Sequence, residues 1–268
     1  MDAIPSSGRT LGGRIVACVA LSAALCHPAR AGRPCEATPP TVASITQGLS
    51  LAERTVQQLE ATGASVVAIA RVGQDLNRYN VRYSHMGWAY KEGDTWRVLH
   101  KLNQCGTDRS AVYRQGIGDF FLDAPHEYVA GIVVPRPDVQ ARLLPRLKDA
   151  AITAPMHTRR YSMLSYPWAH RYQQSNQWAM EVLASAMAEG VTDRAGAQRW
   201  LKQAGYQPTE LHLSALQRLG GRMTRANVSF DDHPPELRFT GRIRTVTVDS
   251  VFTWLQRSGT GGETLTIR

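Results

Sequence analysis

Cysteine is scarce in this chain, with four in 268 residues, and its spacing is as informative as its number. No Cys-x-x-Cys pair and no His-x-x-x-His spacing occurs, so the common sequence signatures of zinc are missing and no metal is expected. Gly116-Ile117-Gly118 lacks the following glycine and lysine of a phosphate cradle, and no cofactor is expected. No apolar run reaches the roughly 20 residues that a spanning helix needs. Basic runs are missing as well. The formal charge is +9, yet the densest cluster is the pair Arg159-Arg160, so the dispersed charge reads as solubility and not as a nucleic-acid footprint.

What is present begins with a leader. Arg9 and Arg14 precede the apolar run Ile15 to Leu25, and Ala29-Arg30-Ala31 supplies a small-x-small cleavage pattern. Residues 1–31 are expected to be a signal peptide, with an uncleaved N-terminal anchor as the alternative. Ile15-Val16-Ala17-Cys18 falls before the apolar core and so does not serve as a lipid-attachment site. The expected destination is the periplasm, with secretion beyond it left open, and no membrane span remains after cleavage. Cleavage removes three arginines and Asp2, which leaves a charge of +7. Cys18 and Cys26 leave with the leader. The remaining pair, Cys35 and Cys105, is expected to form one disulfide in an oxidising compartment. The alternative is that Cys105 is a free nucleophile.

Tyr83 to Tyr90 reads as a strand, because aromatic and alternating apolar residues favour the pleated backbone. Period two places Tyr83, His85, Gly87 and Ala89 on one face and Ser84, Met86, Trp88 and Tyr90 on the other. A glycine beside His85 is expected to leave open space above the imidazole. Glu92-Gly93-Asp94 is turn chemistry, and Trp96 to Leu102 returns as the second strand of a hairpin. Before it, Thr41 to Gly63 is helical, with Val42, Ile45, Leu49, Ala52, Val56 and Leu59 as the inward face, and Ser65 to Ala70 suits a buried strand.

Asn103 to Ser110 reads as a polar loop and Gly116 to Phe121 as a turn or short helix. Tyr128 to Val134 is a strand, and Val139 to Leu147 is a helix interrupted or ended by Pro145. Tyr172 to Ala188 is a strong helix with Ser175 or Asn176 as N-cap. Further helices follow Asp193 and Asp249, and Leu213 to Leu219 forms another, stopped by Gly220-Gly221. Ala226 to Phe230 and Ile243 to Val246 are read as strands. The expected organisation is a flexible entry over 32–40, one globular domain over 41–258 and a frayed tail over 259–268. The fold class is α+β, with an antiparallel central sheet and helices packed around it.

Several words occur in order: Gly73-Gln74-Asp75-Leu76, Tyr83-Ser84-His85-Met86-Gly87, His100 to Gly106 (HKLNQCG), Tyr161-Ser162-Met163, Ser175-Asn176-Gln177-Trp178 and Phe230 to Pro234 (FDDHP). Together they resemble a bacterial exported family catalogued as a domain of unknown function, DUF2145. More distantly, Gly-x-Asp, then Ser-His-x-Gly on a strand, then an Asn-x pair opening a helix is similar to circularly permuted NlpC-like cysteine peptidases and amidases of the papain-like fold. That resemblance implies a histidine base on the early strand and a cysteine nucleophile at the later helix start, where the helix dipole favours the thiolate. His85 matches the histidine. The cysteine position falls at Gln177, which cannot act as a nucleophile.

The preferred reading is therefore a cell-envelope protein that binds a peptide, acyl or peptidoglycan-type ligand without thiol catalysis. Asp75, His85, Asn103, Gln104, Asn176 and Gln177 are its candidate binding residues, and His100 joins Asn103 and Gln104 as a neighbour of His85 across the hairpin. The rival reading is an amidase, peptidase or acyltransferase in which His85 serves as base to Cys105 or Ser175. A purely structural role is the third. Asp231-Asp232-His233, flanked by prolines, reads as a turn.

Overall fold

The computed structural model describes residues 39–268 apart from 124 and 225. The leader, Cys18, Cys26, Cys35 and most of the entry segment lie outside the described residues.

Helix α1 (Val42–Thr62) opens on a reciprocal Thr41–Ser44 capping box and closes at Gly63, whose φ of 64° suits a residue without a Cβ. Its inward face is rotated from the expected one. Gly48, Leu51, Ala52, Thr55 and Leu59 are buried, while Val42 is 83 % exposed. The cause is the short helix α2 (Ile117–Phe121): a Cβ on Gly48 would stand 3.1 Å from Phe121 O, so this glycine lets the two helices touch.

Strands β1 (Val66–Val72), β2 (His85–Glu92), β3 (Thr95–Asn103), β4 (Ser110–Gly116), β5 (Glu127–Val133) and β8 (Leu265–Ile267) form one antiparallel sheet in the order β4-β3-β2-β1-β5-β8. Period two then segregates two cores. On one side Val67, Ile69, Ala89, Val98 and Ile132 pack with Leu51, Leu59, Phe120 and Phe121. On the other, Val66, Ala68, Met86, Trp88, Tyr90 and Leu99 meet four helices: α3 (Pro137–Lys148), α5 (Ser175–Met187), α6 (Arg194–Gln203) and α9 (Val248–Arg257). The central strands are covered on both faces, so β1 is buried along its whole length.

Several expectations need correction. Residues 259–268 are not a frayed tail: Gly261 bridges Pro135, and β8 pairs with β5 through Ala130↔Ile267. Helix α3 continues through Pro145, followed by one turn of α4 (Ala150–Thr153). Helix α7 (Ala215–Thr224) runs through Gly220-Gly221. Residues 226–230 are irregular. The partner of β7 (Arg242–Thr245) is instead β6 (Thr209–His212), with the one-turn α8 (Pro235–Arg238) between α7 and β7. No described helix is long and apolar enough to cross a membrane.

Candidate functional site

Strand β2 carries His85 at its first position, and β3 carries His100 opposite. The registered pairing of the two strands ends at Trp88↔Leu99. Beyond that pair the Asn176 side chain serves the backbone: its Oδ1 accepts from Met86 N at 3.1 Å and its Nδ2 donates to Val246 O at 3.3 Å. The start of α5 is thereby pinned to the peptide that joins His85 to Met86. Gln174, not Ser175 or Asn176, is the N-cap, with its side-chain Oε1 accepting from Asn176 N.

The two imidazoles form a chain. His85 Nε2 lies 2.8 Å from His100 Nδ1, and His100 Nε2 lies 2.7 Å from Gln115 Oε1. An amide oxygen only accepts, so His100 carries its proton on Nε2 and its bare Nδ1 accepts from His85 Nε2–H. His85 is left with Nδ1 as its free lone pair. Phe120 closes the inner side, its ring centroid 5.9 Å from that of His85 and 5.3 Å from that of His100. Burial, and then the nearby Arg71 guanidinium, hold His100 down at about 4. The same causes, followed by the neighbouring ring, keep His85 well below the usual imidazole range. Both rings are neutral at pH 7. A neutral imidazole with an oriented lone pair can accept a hydrogen bond or take up a proton.

Gly87 does not open space above the ring. A Cβ there would meet His100 Cβ at 2.8 Å, Leu99 O at 2.9 Å and Val98 Cγ1 at 2.9 Å. The glycine instead allows β3 to press close, which is what brings His100 to His85.

The remaining candidates divide. Ser175 and Gln177 open the helix on the opposite face of the sheet from the Phe120 side. Ser175 Oγ has Tyr161 OH as its neighbour at 3.4 Å. Gln177 is spent on Ser165, Pro167 and Glu181, accepting from Ser165 Oγ at 2.8 Å and donating to Pro167 O at 3.1 Å and Glu181 Oε1 at 3.0 Å. Asn103 holds its own loop, donating to Thr107 O and Arg109 O and accepting from Asn227. Gln104 is exposed in that turn, and Asp75 caps Asn77 N at 3.0 Å. Cys105 is exposed in the β3–β4 loop and is bonded to a group outside the described residues. Of the expected neighbours, His100 alone is hydrogen-bonded to His85. In the Asp231–His233 loop, Asp232 accepts from Tyr166 N, and His233 Nε2 donates to Arg244 O.

A second polar cluster escaped the sequence reading. Lys101, Gln173, Glu181, Arg194 and Gln198 are buried on the α5 side. Glu181 accepts from Arg194 Nε at 2.8 Å, Gln177 Nε2 at 3.0 Å and Gln198 Nε2 at 2.8 Å. Arg194 also donates to Thr158 Oγ1 and to the carbonyls of Ala169, His170 and Tyr172. Lys101 Nζ donates to Thr158 O at 2.8 Å and Gln173 Oε1 at 2.7 Å. Burial, then repulsion from Arg194, lowers Lys101 to about 6 against the pull of Glu181. With its donors and acceptors matched, this network organises the irregular segment from 154 to 174. Glu181 was the available signal, since it is the one charged side chain in an otherwise buried apolar helix.

The architecture and the site define a class: an α+β domain with helices on both faces of an antiparallel sheet and a histidine pair where the β2–β3 register ends. The chain belongs to the family described as "Uncharacterized protein conserved in bacteria (DUF2145)", whose model matches residues 58–255. Comparison with curated proteins and with solved structures gave no match.

Proposed function

We propose that this is an exported protein of the bacterial cell envelope in which the His85 imidazole, held by His100, recognises a peptide, acyl or peptidoglycan-type ligand without turning it over. The observation that carries the reading is the single uncommitted lone pair of His85, held in place by the bond from its Nε2 to His100, while the amides that open α5 on the other face of the sheet, Asn176 and Gln177, are all committed. Export is supported by the Ile15–Leu25 run and the Ala29-Arg30-Ala31 site. On this reading the bond to Cys105 is a disulfide to Cys35, and His85, on the Phe120 side of the sheet, does not face the α5 start as the permuted papain-like resemblance implies.

The hydrolase reading has less support. Ser175 Oγ is oriented by Tyr161, and Cys105 is already bonded. The test is titration of the mature protein with soluble muropeptides, alongside labelling with iodoacetamide and a fluorophosphonate. Binding weakened about tenfold in His85→Ala, as expected for one lost hydrogen bond to the ligand, with no labelling and no cleaved product, is the expected result. Labelling that His85→Ala abolishes would establish a nucleophile instead. Absence of binding in wild type and variant alike would leave a structural role.

A further inference from the structure

The hairpin face that carries Tyr90 holds two buried donors with nothing to bond. Among the described residues, the Tyr90 hydroxyl is buried without a hydrogen-bond partner, and so is Nε of Arg97. Such orphans are rare in folded proteins, because an unmet buried donor has given up its hydration for nothing. The two are neighbours. Tyr90, itself fully buried, stands directly opposite Arg97 in the β2–β3 ladder, on the α5 side of the sheet. Arg114, the β4 partner of Leu99, lies on the same face, with its guanidinium carbon 6.0 Å from the centre of the Tyr90 ring.

The charges leave this corner positive. Glu92 stands between the two arginines, 3.7 Å from Arg97 Nε and 3.6 Å from Arg114 Nη1. Both distances are too long for a hydrogen bond, so one carboxylate offsets one of two positive charges and satisfies neither donor. Burial raises the Tyr90 phenol above its ordinary value, with Arg114, Glu92 and Arg97 as the charges that act on it, so it keeps its proton and can donate. The outer side is open to solvent, since the side chains of Arg97, Glu92 and Arg114 are 41, 42 and 45 % exposed.

What such a corner accepts is a planar pair of oxygens carrying one negative charge. A guanidinium edge binds a carboxylate through two parallel N–H donors, and the phenol adds a third. A phosphate or sulfate dianion would leave the corner negative beside Glu92. We propose that Tyr90, Arg97 and Arg114 form a second binding site, which takes a ligand carboxylate on the Tyr90 hydroxyl and the Arg97 guanidinium. It lies on the other face of β2 from His85 and about 16 Å along the strand, so it stands independently of the histidine pair.

Titration of the mature protein with sodium acetate at constant ionic strength, followed by the ¹⁵Nε resonance of Arg97, tests this, with sodium chloride and sodium sulfate as controls. Acetate shifts the resonance saturably, chloride leaves it in place, and sulfate binds more weakly than acetate. Tyr90→Phe weakens acetate binding about tenfold, as the loss of a hydrogen bond to a charged group does. Its urea midpoint without acetate is that of wild type or higher, because the hydroxyl removed had no partner. Arg97→Lys keeps the charge, loses the fork and weakens binding as well, whereas Glu92→Gln tightens it. No saturable shift, an equal response to chloride, tighter binding of sulfate than of acetate, or a Tyr90→Phe variant that binds acetate like wild type would overturn the proposal. So would a lower midpoint of Tyr90→Phe without acetate, which would give the hydroxyl a partner inside the fold.

Discussion

His85 Nε2 and His100 Nδ1 are 2.8 Å apart, just beyond the last registered pair of two adjacent strands. The bond exists because Gly87 admits β3, while Asn176 bonds the neighbouring Met86 N from the helix α5 side. Gly87→Ala would therefore drive a methyl group into His100 Cβ and Leu99 O, a backbone atom that cannot rotate aside. The expected loss is about 1–3 kcal/mol of stability, measured by urea denaturation. It should be accompanied by a changed His85 imidazole spectrum, and an unchanged midpoint would remove the close approach from the account.

Acid should weaken the fold through His100. Its folded value is about 4 and its unfolded value about 6.5, so unfolding takes up a proton between those limits. The stability this ring contributes is fully present above about pH 6.5 and falls as pH drops towards 4, by up to about 3 kcal/mol. His157, also held at about 4 by burial and then by Lys101, works in the same direction. Unfolding midpoints measured from pH 7 to 4 should decline, and His100→Gln should flatten that decline.

Lys101 acts over a higher window. Its amine is lowered to about 6 in the fold against roughly 10.4 in the unfolded chain. Between those values the unfolded chain binds the extra proton, so stability rises with pH. The midpoint of wild type should climb relative to that of Lys101→Met from pH 6 to 9. Parallel profiles would place the ammonium form in the core.

Glu181 and Arg194 form a buried pair at 2.8 Å. Breaking it with Glu181→Gln leaves the guanidinium without its counter-charge and should cost about 3–5 kcal/mol. The double variant Glu181→Gln/Arg194→Met should recover part of that loss. A double-mutant cycle in denaturant measures the coupling, and strictly additive effects would contradict a shared network.

Local periodicity made the hairpin, the buried β1 and helix α5 legible, because each has its own apolar pattern. Cross-strand adjacency also made His100 legible as a neighbour of His85. Gln115 was not, because β4 is an edge strand whose Tyr113 and Arg114 face solvent and leave no alternating signal. The buried face of α1 departs from its periodicity for a different reason: Leu49 and Ile45 have the right spacing, but the approach of α2 onto Gly48 selects another side. Residues 154–174 have little regular structure, and the bonds that hold them come from Arg194 and Gln173, distant in sequence or irregular themselves.

The most direct measurement follows the ¹⁵Nδ1 resonance of His85 while soluble muropeptides are added, with mass spectrometry of the same solution. This nitrogen is expected to shift as it accepts a ligand proton donor, His100 to keep its tautomer, and the ligand to be recovered intact. A ligand returned in pieces, or one that binds while the His85 resonance stays still, would contradict the proposed recognition.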